Sequence, residues 1–313
     1  MKYISLACTL FALGLANCAD DGSCHITSLG NMEVINNNFS PIVRATVNGH
    51  PVAFLVDTGA SQSLIWSAQI EPLGVTTLPQ SILLNGVGGS TFANLVSVDT
   101  LGIGSGIARN VTLLSTGEKS GHNTIAGLPI VGLFGADFLR NYDIAMDLPQ
   151  HQIALFDVEG CTGQIPPWPG KYTSIPFSSP INDRNKIGVT LKINDHPIDA
   201  IIDSGASSTL LAEDDVLDAG IKKTDLHADK SMSSYGVSED KVTNYLHKFK
   251  SFSIDSLNFH NITLSVADVD INLLGADFLR HYRLWIPKRQ STLYLQPEGN
   301  TEYVTVQPRL PQH

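Results

Sequence analysis

The sequence predicts an all-β protein of two lobes related by a pseudo-twofold axis, with one short helix in each lobe. Three observations predict it. A short acidic motif occurs twice, as Ala53-Phe54-Leu55-Val56-Asp57-Thr58-Gly59-Ala60-Ser61 and as Asp199-Ala200-Ile201-Ile202-Asp203-Ser204-Gly205-Ala206-Ser207. The chain around each copy is itself repeated in order. Its segments are short and apolar, alternate in polarity and end in turn residues, as strands do.

The repeat can be followed residue by residue. Thr27-Ser28 returns as Thr173-Ser174, Asn48-Gly49-His50-Pro51 as Asn194-Asp195-His196-Pro197, and Asp57 as Asp203, all 146 residues apart. Asn110-Val111-Thr112-Leu113 is answered by Asn261-Ile262-Thr263-Leu264. Leu133-Phe134-Gly135-Ala136-Asp137-Phe138-Leu139-Arg140 returns as Leu273-Leu274-Gly275-Ala276-Asp277-Phe278-Leu279-Arg280, now at a smaller offset. Matches at both ends and in the middle indicate a tandem duplication of one domain.

In chain order, residues 1–19 read as a leader: Lys2, an apolar run from Ile4 to Leu15, then Ala16-Asn17-Cys18-Ala19. Two processing routes stay open, lipidation of Cys18 or signal cleavage near Ala19. Either implies export from a bacterial cell, to the periplasm, the cell envelope or the medium. Export permits disulfides. With Cys8 in the leader and Cys18 lipidated, Cys24 and Cys161 remain as a pair, and we expect them to bond.

The first lobe is expected over 25–158. Ile42–Val47 alternates and runs through Asn48-Gly49 into the apolar strand Val52–Val56, the signature of a hairpin. Gly-Ala-Asp-Phe-Leu-Arg reads as a short helix with Asp137 at its positive start. Gln152–Phe156 closes the lobe. Pro166, Pro167 and Pro169 mark a stiff linker at 159–171. The second lobe, 172–297, repeats the plan with Val189–Ile193, Ile198–Ile202, the helix at Asp277 and Thr292–Leu295. A polar tail, 298–313, holds Pro308 and Pro311.

Bulk composition narrows the function. The chain has 313 residues, 42% hydrophobic and 16% charged, enough for two packed lobes. Its formal net charge of -10 argues against nucleic acid or anionic lipid as a partner. Membrane contact is expected only through an N-terminal lipid. No metal and no cofactor are expected, since no cysteine, histidine and carboxylate spacing resembles a metal site.

The doubled motif points to chemistry. Two carboxylates brought face to face cannot both ionise cheaply, so the pair holds one proton over a broad pH range. Such a pair contains an acid and a base in one place, which suits activation of water. Taken singly, Asp57 or Asp203 is also an ordinary turn residue. The duplication favours the paired reading.

Asp-Thr-Gly-Ala-Ser, a glycine-rich turn some thirty residues on and a later apolar-apolar-Gly before a short helix resemble the retropepsin-like aspartic proteases. Gly-Ala-Asp-Phe-Leu looks most like the bacterial aspartyl protease branch of that clan. The resemblance covers nearly all of the chain after the leader, once per repeat. Retroviral-type enzymes are homodimers, whereas this chain resembles a covalent dimer and is expected to act as a monomer. Pepsin-like enzymes, also two-lobed, usually carry Asp-Thr-Gly-Ser and longer lobes.

The resemblance implies an endopeptidase acting on peptide or protein substrates, with Asp57 and Asp203 activating water and no covalent intermediate. It implies that Thr58 and Ser204 lock the two loops across the lobe interface. Gly59 and Gly205 permit close backbone approach and N–H donation. Ala60 and Ala206 stand where many pepsins carry a hydroxyl, so a weakly acidic optimum is expected. Gly86-Val87-Gly88-Gly89 occupies the place of a mobile flap. Its counterpart around Tyr235-Gly236 matches poorly and is expected to be rigid, short or absent. His50 and His196 read as structural turn residues, and Asp137 and Asp277 as helix-start residues. The rival reading is a catalytically inactive peptide-binding protein on the same fold.

Overall fold

A computed structural model describes residues 24–86, 89–117, 124–161, 166, 168–180, 183–235 and 241–298. The expected leader, with Cys18, and the polar tail from residue 299 lie outside them.

The two halves fold alike. In the first lobe, the sheet order is Ile42–Val47, His50–Val56, Leu128–Phe134, Leu64–Trp66, Gly106–Thr116, Gly89–Ile103 and Thr76–Gly86. A further pairing of Ile42–Val47 with Gly89–Ile103 closes the sheet on itself. The second lobe repeats this order with Gly188–Ile193, His196–Ile202, Asn272–Leu274, Leu210–Ala212, Leu257–Ala267, Lys241–Ile254 and Ser231–Tyr235. It closes through Gly188–Ile193 and Lys241–Ile254.

Strand chemistry explains the closure. Val43, Ala45 and Val47 are buried while Arg44 and Thr46 face out, and Val189, Leu191 and Ile193 repeat the alternation. One face therefore fills the barrel interior. The tight turns take left-handed backbone at Asn48, Gly49, Asn194 and Asp195. Asn tolerates that region, and here its amide is used. Asn48 Oδ1 accepts the Thr100 N–H at 3.0 Å, and Asn194 Oδ1 accepts the Lys250 N–H at 3.1 Å. In each lobe the hairpin is thereby tied to the adjoining long strand.

A third sheet joins the lobes. Its order is His25–Glu33, Gln152–Glu159, Asp143–Asp147, Tyr282–Ile286, Thr292–Pro297 and Thr173–Pro176, three strands from each half. The halves meet where Ala145 pairs with Trp285. Trp285 is fully buried there, packed by Phe156 and by Trp168. Trp168 and Pro169 belong to the proline-rich stretch, which packs back on this sheet: Gln296 Nε2 donates to the Pro169 carbonyl at 2.8 Å. The strand Gln152–Glu159 runs past the expected Phe156 to the first residue of that stretch. Cys24 and Cys161 form the expected disulfide. It fastens the start of His25–Glu33 beside its partner strand, since His25 pairs with Glu159.

The expected helices are present as Ala136–Leu139 and Ala276–Leu279. The second lobe adds two more, Glu213–Asp218 and Lys223–Leu226, so one helix per lobe understates it. Glu213, Asp214 and Asp215 sit in the first turn, where the helix dipole favours acid, and Gly220 takes a positive φ just past the end. The corresponding stretch of the first lobe forms only the 3-10 turn Ser67–Gln69. Pro72 follows within a turn of it and lacks the N–H needed to continue.

Candidate active site

Each acidic motif follows a strand that pairs in parallel with a strand ending in the apolar-apolar-Gly segment. His50–Val56 lies beside Leu128–Phe134, and His196–Ile202 beside Asn272–Leu274. The Asp57 N–H donates to the Phe134 carbonyl at 2.9 Å, and the Asp203 N–H to the Leu274 carbonyl at 3.0 Å. Both aspartates thus leave the sheet at the same point of their lobes.

The turn after each aspartate folds its own amides onto the carboxylate. Asp57 Oδ1 accepts from the N–H groups of Gly59 at 2.9 Å and Ala60 at 2.8 Å. Asp203 Oδ1 accepts from Gly205 at 2.8 Å and Ala206 at 2.9 Å. The glycines do more than turn the chain. A Cβ built on Gly59 would stand 2.3 Å from Asp203 Cγ, and one on Gly205 would stand 2.1 Å from Asp57 Cγ. Each carboxylate therefore lies against the other lobe's glycine, in space that only glycine leaves open.

Thr58 and Ser204 hold the two turns together. Thr58 Oγ1 donates to the Ile202 carbonyl at 2.7 Å and accepts the Ser204 N–H at 3.0 Å. Ser204 Oγ donates to the Val56 carbonyl at 2.7 Å and accepts the Thr58 N–H at 3.1 Å. All four bonds cross between lobes, and both hydroxyls are buried.

The electrostatics follow from this packing. Burial pushes the Asp57 carboxyl well above the usual carboxylate range, and the neighbouring Asp203 charge pushes it further, against the pull of the two amides. Asp203 is also raised by burial, but is held back by the amides, by a hydrogen bond with Asp57 and by the Lys186 charge. The pair therefore favours a state with one shared proton.

The hairpin at the place expected for a flap pairs Thr76–Gly86 with Gly89–Ile103 and is registered to Gly86, which faces Gly89. Val87 and Gly88 lie outside the described residues. Leu84 of this hairpin packs in one apolar cluster with Ala60, beside the Asp57 turn. The second hairpin exists too, Ser231–Tyr235 against Lys241–Ile254, with residues 236–240 outside the described residues. Its Val242 packs with Ala206 in the matching cluster. Of the three expectations for this second hairpin, absence is excluded. Tyr235 ends its first strand, and Gly236 lies outside the described residues.

Asp137 and Asp277 start the helices as expected, but their carboxylates reach beyond them. Asp137 Oδ1 accepts from Ser63 N–H and Oγ, and Asp277 Oδ1 from Thr209 N–H and Oγ1, all at 2.7–2.8 Å. Ser63 Oγ and Thr209 Oγ1 in turn accept from Gly135 and Gly275. These hydroxyls are six residues past each site aspartate and link its loop to the glycine segment. Sequence reasoning missed them, although a hydroxyl at the same place in both repeats was the available signal. His50 and His196 open strands after their turns, and none of the described His, Cys, Asp and Glu residues gather in threes suited to a metal.

Family comparisons agree with this geometry. Residues 43–141 match the family described as "gag-polyprotein putative aspartyl protease", and residues 189–278 match the family described as "Aspartyl protease". The two matches fall one in each lobe, and each spans an acidic motif and the glycine segment that supports it. Comparison with curated proteins finds no match.

Proposed function

Because the chain consists of two retropepsin-like aspartyl protease domains in tandem, we infer that it is an exported aspartic endopeptidase. The observation that carries this reading is the pair Asp57 and Asp203, each anchored by its own turn and seated against the other lobe's glycine. In the singly protonated pair, the ionised carboxylate takes a proton from a bound water. That water attacks the scissile carbonyl carbon, while the protonated member of the pair gives its proton to the carbonyl oxygen. The resulting tetrahedral gem-diol collapses with proton transfer to the leaving amine, and the pair returns to one shared proton. The N–H groups of Gly59, Ala60, Gly205 and Ala206 hold the carboxylates in place throughout.

The two flap hairpins supply the cover that excludes water from a bound peptide. The substrate is a peptide or protein segment threaded between the lobes, and one chain provides the whole site, so a monomer suffices. The Cys24–Cys161 disulfide supports export, since such bonds persist in oxidising compartments. The missing hydroxyls at Ala60 and Ala206 favour a weakly acidic optimum. Cleavage of a broad peptide library across pH, with and without a statine-type transition-state mimic, tests this reading. Inhibitable cleavage with a weakly acidic optimum is the expected result, and a profile peaking well below about pH 3 contradicts it. No cleavage, together with peptide binding, supports the inactive binder instead.

A further inference from the structure

A strained stretch of backbone lies beside the carboxylate pair, at residues 36–40, just ahead of the strand Ile42–Val47. Phe39 takes a φ of 62°, in the left-handed region that a bulky side chain enters only at a cost. Its ring is 48% exposed, so burial of the ring does not offset that cost. Strain of this kind persists where surrounding bonds over-determine it, and it points to a task.

The bonds that hold it come from both lobes. Asn36 Nδ2 donates to the carbonyls of Asn38 at 2.6 Å and Ser40 at 2.8 Å, and Asn36 Oδ1 accepts the Ile42 N–H at 2.9 Å. Arg280 reaches across from the second lobe. Its Nε donates to the Phe39 carbonyl, its Nη1 to the Asn36 carbonyl at 3.3 Å and its Nη2 to the Asn38 carbonyl at 3.2 Å. The carbonyls of Asn36, Asn38, Phe39 and Ser40 are thereby all held.

What the stretch presents is the hydroxyl of buried Ser40. Ser40 Oγ donates to the Gly205 carbonyl at 2.6 Å and lies 3.3 Å from Ser207 Oγ. These contacts flank the peptide groups that cradle Asp203, because the N–H groups of Gly205 and Ala206 donate to Asp203 Oδ1. Gly205 is also the residue that lies against Asp57. The Asp57 turn is gripped from the opposite lobe as well, by a different group: Ser61 Oγ, one residue past Ala60, donates to Asp183 Oδ2. Arg280 and Gly205 belong to the same lobe, so the path from one to the other runs out through the first lobe and back.

We propose that Ser40 is a positioning residue for peptide hydrolysis at the carboxylate pair. Its hydroxyl holds the Gly205 peptide, and through it both the amides that orient the Asp203 carboxylate and the glycine that faces Asp57. Arg280 and Asn36 keep the strained Phe39 backbone in the shape that brings this hydroxyl to the turn. The Thr58 and Ser204 bonds fix the residue after each aspartate, and the Ser40 bond fixes the residue after that in the second lobe.

This inference rests on the peptidase reading, so it is measured both with and without turnover. In the full chain, Ser40→Ala removes the bond to Gly205, and Arg280→Gln removes the clamp without touching Ser40. Thermal melts check that each variant folds. Arg280→Gln, at a partly exposed residue, tests the same path should Ser40→Ala fail to fold. Ser40→Ala should lose kcat about five- to tenfold, the worth of one such hydrogen bond, with KM within about twofold. Arg280→Gln should also lower kcat, and the double variant should be no worse than the more impaired single one, since both act through one bond. Hydrogen exchange at the Gly205 and Ala206 amides, followed by NMR, should quicken in Ser40→Ala by about five- to tenfold as well. A folded Ser40→Ala variant with wild-type kcat overturns the proposal, as does a loss carried by KM alone or losses that multiply in the double variant. In a protein that cleaves no peptide, faster exchange at those two amides leaves the hold of Ser40 on the turn standing and rejects the proteolytic reading. Unchanged exchange there overturns the proposal itself.

Discussion

Thr58 and Ser204 exchange hydrogen bonds in both directions, each hydroxyl accepting the other residue's N–H across the lobe interface at 3.0–3.1 Å. Each also donates to the carbonyl that precedes the opposite aspartate. The interface at the carboxylates is therefore set by four short bonds that can form only when both lobes are in register.

Removing one hydroxyl leaves buried partners unmatched. Ser204→Ala strips the Val56 carbonyl and the Thr58 N–H of their partner, which should cost roughly 2–4 kcal/mol in urea unfolding. Ser204→Thr, which mirrors the first lobe, should recover most of this. Activity should fall in Ser204→Ala through kcat, because the carboxylates lose their relative placement.

The glycines facing the carboxylates make a sharper case. Gly59→Ala would push a methyl group into Asp203, and Gly205→Ala into Asp57. Both variants should lose proteolysis while binding peptide more weakly, measured by kcat/KM and by titration with a transition-state mimic. Alanine at Gly49, where a Cβ would meet nothing within 4 Å, strains only the turn and serves as the contrast.

Asp277 makes stability depend on pH. Burial raises its carboxyl from 3.8 to about 6, against four hydrogen bonds that favour the charge. Below about pH 4 the group is protonated whether the chain is folded or not. As pH rises towards 6 the unfolded chain gives up this proton before the folded one does, so stability falls across that window. Asp277→Asn, whose Oδ1 can accept the same bonds, should match the wild type near pH 4. Above pH 6 it should be more stable, by on the order of 2–3 kcal/mol. Thermal melts at both pH values measure this.

The disulfide bridges a sequence separation of 137 residues, from the outer strand His25–Glu33 to the stretch after Glu159. Replacing both cysteines by serine should lower stability by about 2–4 kcal/mol. Hydrogen exchange should show the loss first in His25–Glu33, an outer strand with Ile26 and Leu29 exposed.

Much of this was legible in the sequence because duplication writes the same instruction twice. The hairpins around Asn48 and Asn194, the helices at Asp137 and Asp277 and the pairing of Asp57 with Asp203 all follow from local pattern plus repetition. The long strands Gly89–Ile103 and Lys241–Ile254 were not, because their residues alternate imperfectly, although hairpins join each to its neighbours in sequence. The helix Glu213–Asp218 was hidden by the repeat itself, whose first copy carries Pro72. At the site, the Ser61–Asp183 hydrogen bond escaped notice because its partners meet from opposite lobes. No local pattern reports such a contact.

The central claim is that Asp57 and Asp203 act as one unit, and single and double substitution measures it most directly. Steady-state cleavage by Asp57→Asn, Asp203→Asn and the double variant should be compared, with thermal melts to confirm folding. The account predicts that each single variant loses about a thousandfold or more in kcat and that the double variant is no worse than either. A folded single variant that keeps substantial activity, or losses that multiply in the double variant, would contradict it.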